Sequence, residues 1–204
     1  MEKAFIRYFQ AHLGLYLTII IFFLGGIIVG TVTINLLEAD QIIQLTAYLD
    51  NYLKQFHLSN TDAYQAAYGI FTNTSKEIGL LWFLGLSVIG GPLIVALIFL
   101  KGFISGFTVG FIIKQKAFSG VAFSLLAILP ANLIYIPALF IAAISGLSFS
   151  LNLFHGHNYS QGALWKSLVC YSSIMMLAAL VIMLGGLVEI YLSPIFARAV
   201  LNYF

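Results

Sequence analysis

Acidic side chains are what this chain has least of where it matters. From Ile78 to Leu151 it holds no Asp or Glu, and its only charges there are Lys101, Lys114 and Lys116. Charged residues make up 8% of the whole chain, against roughly 25% in soluble domains, which excludes an ordinary water-solvated globule. Cys170 is the lone cysteine and lies in an apolar run, so a disulfide framework is excluded as well. The formal net charge of +2 is too small to suggest a nucleic-acid partner. No Gly-rich phosphate loop, Walker motif or HExxH pair occurs. His155 and His157 come nearest to a metal site, but no Asp, Glu or Cys nearby completes one. A nucleophile with a base at membrane depth is not visible either. Catalytic, cofactor and metal residues are therefore left unassigned, and the chain reads as a non-enzyme.

What is present is apolar surface: 61% hydrophobic residues and a mean hydropathy of +1.02. In a bilayer every backbone N–H and C=O must be paired within the protein, so runs this apolar have to be helical. The expected fold is all-α, a polytopic integral membrane protein of five or six membrane helices, some short or broken, in one domain over residues 1–204. Leu13 to Leu37 is free of charge and outlasts the ~7–15 residues of a signal-peptide core, so it reads as an uncleaved first span.

Residues 38–77 are the only sizeable polar piece. Ile42, Leu45, Leu49, Tyr52, Leu53 and Phe56 recur at helical spacing, which predicts an amphipathic helix. The run Leu58 to Asp62 breaks it, and a shorter helix follows to about Phe71. Thr74 and Glu77 then have the spacing of a capping box for the next membrane helix. Ile78 to Lys116 is too long for one span and too short for two with a turn. Gly90-Gly91-Pro92 offers the break, since proline at a helix start lacks only a donor that would be orphaned anyway. Pro130 and Pro137 interrupt the following block, and a last helix is expected from about Leu164 to Ile190, closed by Ser193-Pro194, with an interfacial tail.

The placement of Lys and Arg predicts topology. Lys3 and Arg7 put the N-terminus in the cytoplasm, which makes 38–77 extracytoplasmic. Lys114 and Lys116 would then be inside, the 155–162 hinge outside and Arg198 inside. That is four net crossings, with five full crossings as the rival.

A charge in the bilayer centre costs ~2.5–3.5 kcal/mol even on the lenient insertion scale, so each polar feature at depth needs a reason. Lys101 either snorkels or pairs with Glu189, the only acid after Glu77. Glu189 in turn is either interfacial or a buried partner of Lys101 or Asn132. Asn132, between Pro130 and Pro137, can satisfy carbonyls that the prolines free. Gly102, Gly106 and Gly110 form a GxxxG ladder, which packs two helices of one chain closely or makes a homodimer seam.

These residues carry a resemblance. Leu100-Lys-Gly-Phe-Ile-Ser-Gly-Phe-Thr-Val-Gly-Phe111, Ile128-Leu-Pro-Ala-Asn-Leu-Ile-Tyr-Ile-Pro-Ala-Leu139 and Glu189-Ile-Tyr-Leu-Ser-Pro194 look like stage II sporulation protein M, in the same order and over nearly the whole chain. Where the broader family shows His-Gly and an acidic residue after the first proline, this chain has Ala131, Asn132 and Tyr135, which weakens transfer of any role tied to that acid. The resemblance implies a multi-pass protein of the plasma membrane, at the septal and engulfing membrane of an endospore former. It further implies a non-enzymatic scaffold that localises the peptidoglycan hydrolases called stage II sporulation proteins D and P. The alternative reading is a permease or channel-like subunit, since paired broken helices are a transporter hallmark.

Overall fold

The computed structural model describes residues 13–58, 63–123, 129–154 and 161–201, with side chains described for all of these except 49–58, 63–67, 116–120, 122–123, 161–164 and 189–201. Among the described residues every regular element is helical: α1 Leu13–Thr33, a 3-10 turn Ile34–Leu36, α2 Ala39–Leu58, α3 Ala63–Gly85, α4 Gly90–Phe123, α5 Leu129–Phe154 and α6 Gln161–Leu201. Four stretches are long and apolar enough to cross a membrane: Leu13–Leu36, Gly90–Gln115, Leu129–Phe154 and Trp165–Val188. The all-α membrane fold is therefore as the composition dictates. Calls on the breaking run Ser59–Asp62 and on His155 and His157 lie outside the described residues.

The helix ends differ from the sequence reading in three places. Residues 63–71 and 78–85 belong to one unbroken helix, α3, so Thr74 and Glu77 are mid-helix and form no capping box. The awkward length of 78–116 is resolved this way: α3 gains its length by reaching back through polar residues, of which Thr74 is buried and Glu77 half-buried. Pro130 sits in the first turn of α5, where its missing donor costs nothing, and Pro137 lies inside a helix that continues past it. The carbonyl of Leu133 loses its usual partner there, and packing against neighbours keeps the helix going. Likewise α6 runs on through Ser193 and Pro194 to Leu201.

Gly90 does open α4, after a short turn closed by Ser87 N–H to Leu84 O (3.0 Å) and Gly90 N–H to Ser87 O (3.0 Å). A Cβ on Gly90 would run into the Leu84 carbonyl, so the turn needs glycine for its close approach. Ser150 of α5, 1% exposed, closes the same end. Its hydroxyl accepts the otherwise orphaned Gly91 N–H (3.0 Å) and donates to Ser87 O (2.8 Å).

Contacts fix the direction of each helix. Gly26 faces Phe99 and Phe103, Gly30 faces Phe103 and Phe107, and Gly106 faces Ile27, so α1 and α4 run parallel. Lys114 donates to Ile34 O (3.2 Å) and Asn35 Oδ1 (3.3 Å), at the far end of α1 from Leu13. The chain must cross between α1 and α4 to make them parallel, and α3 makes that crossing. Tyr135 meets Glu77 and Ser150 meets Ser87, so α5 runs with α3. Tyr171 meets Trp82 while Gly186 meets Ile70, so α6 runs against it.

This arrangement sets apart helix ends that the placement of Lys and Arg puts on one side. Lys114 cannot share a face with the beginning of α1, and α6 ends on the face opposite to where α1 begins. Along the bundle α1, α3, α4, α5 and α6 alternate in direction, and four stretches, none of them in α3, are apolar enough to cross a membrane.

The core lies around α5. Ala138, Leu139, Ala142, Ala143 and Leu147 pack with Ile19 and Phe23 of α1, Ile78 and Leu81 of α3, Ile94 and Ile98 of α4, and Met175 and Ile182 of α6. Small residues on the central helix let four neighbours approach it at once.

Candidate functional site

Two features stand out within the bundle. The first is a glycine seam and the cleft beside it. A Cβ at Gly102 would strike the Phe23 carbonyl, and one at Gly106 the Ile27 carbonyl. At Gly110 it would come within 2.6 Å of Ile34 Cδ1. Gly26 and Gly30 are equally tight from the α1 side, where Cβ atoms would meet Phe99 O and Phe103 O. Glycine in a helix costs ~0.5–1 kcal/mol relative to alanine, a cost offset here by backbone-to-backbone packing. Thr31 reinforces the seam, its hydroxyl within 2.9 Å of Ile27 O and 3.3 Å of Gly106 O. All three ladder glycines thus pack against another helix of the same chain.

Beside this seam, α1, α4 and α5 leave a cleft of about 750 Å³. Phe23, Ile27 and Val109 form its walls, with Leu133 and Pro137 from α5. Asn132 contributes one of its few polar groups, so the structure brings Asn132, Pro137, Gly106 and Gly110 to one place. Pro130 stands one turn away, at the start of α5.

The second feature is a polar cluster that joins three helices. Lys101 Nζ lies 2.9 Å from Glu77 Oε2. Tyr135 donates its hydroxyl to Glu77 Oε1 at 2.6 Å, and Lys101 Nζ stands 5.7 Å from the centre of the Tyr135 ring. Both carboxylate oxygens are thereby occupied, one by a cation and one by a hydroxyl. Lys101 is eleven residues into α4, about 16 Å along the axis, which puts the cluster near mid-span. A second cleft of about 410 Å³ adjoins it, with Asn73, Lys76 and Leu80 on α3 and Leu97 on α4 among its walls.

The sequence left Lys101 either snorkelling or paired with Glu189. Lys101 meets Glu77 instead, and the Glu189 side chain lies outside the described residues. Sequence reasoning passed over Glu77 and Tyr135. Glu77 had been spent as a helix cap, which placed it at the membrane surface. The signal that would have found it is depth: Glu77 precedes the Gly85–Gly90 turn by eight residues and Lys101 follows it by eleven, so an antiparallel hairpin brings them level.

A further set of bonds ties α3 to α6. Tyr171 donates to Trp82 O (3.0 Å), with Leu81 O at 3.2 Å, and its ring stacks on Phe149 at 4.8 Å. Trp82 Nε1 donates to Ser172 Oγ (3.1 Å). Tyr171 occupies the space that a Cβ on Gly85 would need. These bonds tie the two helices together by pairing polar atoms within the bundle.

Comparison with curated proteins and with solved structures gives no match. The family model described as Stage II sporulation protein M matches residues 19–194, which takes in α1, the glycine seam, the polar cluster and most of α6. With most of its length so matched, and with a bundle of apolar helices built to cross a membrane, the chain belongs to the Stage II sporulation protein M family.

Proposed function

We propose that this sporulation-family membrane protein is a non-enzymatic anchor. It would hold the peptidoglycan hydrolases known as stage II sporulation proteins D and P at the septal and engulfing membrane. The observation that carries this reading is the open cleft between α1, α4 and α5. Its walls are almost wholly apolar, and Leu129, Leu133 and Ile104 leave large hydrophobic surface exposed at or near it. Apolar exposure in lipid is ordinary, but a concave groove with a small-residue floor is the shape that receives a transmembrane helix.

The N-terminus is placed in the cytoplasm on the strength of Lys3 and Arg7. Lys114 sits at the other face, where its ammonium is bound to carbonyl and amide oxygens at the end of α1. That is a favourable use of a cation at a helix C-terminus, independent of orientation. On this assignment α2 and the overhanging ends of α4 and α6 all lie on the extracytoplasmic face, where the hydrolases work.

Leu133→Trp tests the proposal, because Leu133 is 66% exposed and lines the cleft without supporting the core. The variant should fold normally and lose most co-purification with proteins D and P. Undiminished co-purification would remove the cleft as the docking surface. The permease reading predicts solute flux into vesicles that hold this protein alone, which the anchor reading does not.

A further inference from the structure

We infer that the cleft between α3 and α4 is a binding site for the phosphate headgroup of an anionic membrane lipid, held by Lys76 with Asn73 at the cleft's outer end. The argument begins with Lys76. It projects from the same face of α3 as Leu80 and Phe83, one and two turns further on, and those two side chains are 47% and 67% exposed on the outside of the bundle. The face is thus turned to lipid, and Lys76 is exposed on it. Lys76 lies only six residues, about 9 Å, from Ile70, which packs against Gly186 near the end of the α6 span. Its flexible stem can carry the ammonium toward that headgroup layer.

Charge counting around the cleft then favours an anion. Two lysines, Lys76 and Lys101, face one carboxylate, Glu77. That carboxylate is already filled by Lys101 on one oxygen and Tyr135 on the other. No carboxylate among the described residues pairs with Lys76. An unpaired ammonium on a lipid-facing surface is costly, and a phosphodiester is the anion that the bilayer supplies at that depth. The Asn73 amide adds neutral donors one turn before Lys76. Below the polar mouth the walls are Leu80, Leu97 and Leu139, which suit an acyl chain and give a small soluble anion nothing to touch.

The test is lipid retention by the intact protein in mild detergent, read by native mass spectrometry. The sample is offered equal phosphatidylglycerol and phosphatidylcholine of the same chain length. Wild type should keep phosphatidylglycerol over phosphatidylcholine by about fivefold or more, the preference expected of one lysine near a lipid surface. Lys76→Gln should abolish the preference and Lys76→Arg should keep it. Lys76 is outside the Glu77 pair, so both variants should melt as wild type does. Leu80→Trp, which fills the cleft without touching a charge, should also lose the bound lipid. Inorganic phosphate at millimolar concentration should not displace it. Equal retention of the two lipids, an unchanged preference in Lys76→Gln, or ready displacement by inorganic phosphate would each overturn the assignment.

Discussion

Single side chains in this protein are decided by what lipid cannot provide. Glu77 and Lys101 sit near mid-span, where each alone would cost ~2.5–3.5 kcal/mol, and at 2.9 Å each makes the other tolerable. Glu77→Ala should therefore lower stability by about 2–3 kcal/mol, read as a fall in melting temperature in detergent, because it strands Lys101. Adding Lys101→Met to that variant should recover a large part of the loss. If the double variant is no better than the single, the pair is not what holds these helices. Ser150→Ala is expected to cost about 1–3 kcal/mol by the same measurement, since it leaves the Gly91 N–H and the Ser87 carbonyl without their partner in an apolar interior. The sequence displayed all of these residues and gave no means of pairing them. Glu77 could be matched to Lys101 only once α3 and α4 were known to form one antiparallel hairpin.

At the scale of elements, the α1–α4 seam is where glycine matters most. Backbone lies on backbone there, so a side chain has nowhere to go. Gly106→Leu should separate the two helices and abolish folding, seen as aggregation or a greatly lowered melting temperature. A dimer seam would instead give a well-folded monomer. Pro137→Ala is expected to change stability by less than about 1 kcal/mol, because the helix already continues through the proline. Local sequence was a good guide to which segments are helical and a poor guide to where they stop. Prolines and capping spacings mark helix ends in water, where a broken backbone can bond to solvent. In lipid that alternative is missing, so α5 runs on through Pro137, which would otherwise end it.

For the whole molecule the deciding quantity is direction. Parallel α1 and α4 require a pass between them, so Asn35 and Gln115 lie at one end of the bundle and Leu13 and Ser87 at the other. Single-cysteine variants at 13, 35, 87 and 115, in a background with Cys170→Ser, should label with a membrane-impermeant thiol reagent in two groups: 35 with 115, and 13 with 87. Labelling of 13 and 115 from the same side would contradict the packing of Lys114 against the end of α1.

The sequence by itself determined the solvent, the secondary structure and the family, because each depends on composition or local order. An acid-free run from Ile78 to Leu151 admits only helices in lipid. Tertiary structure alone decided that α3 runs back along the bundle between α1 and α4, since helix direction is set by which side chains meet. It also decided that Lys101 belongs to Glu77. A charge at membrane depth selects its partner by height and facing, and both are set by how helices pair.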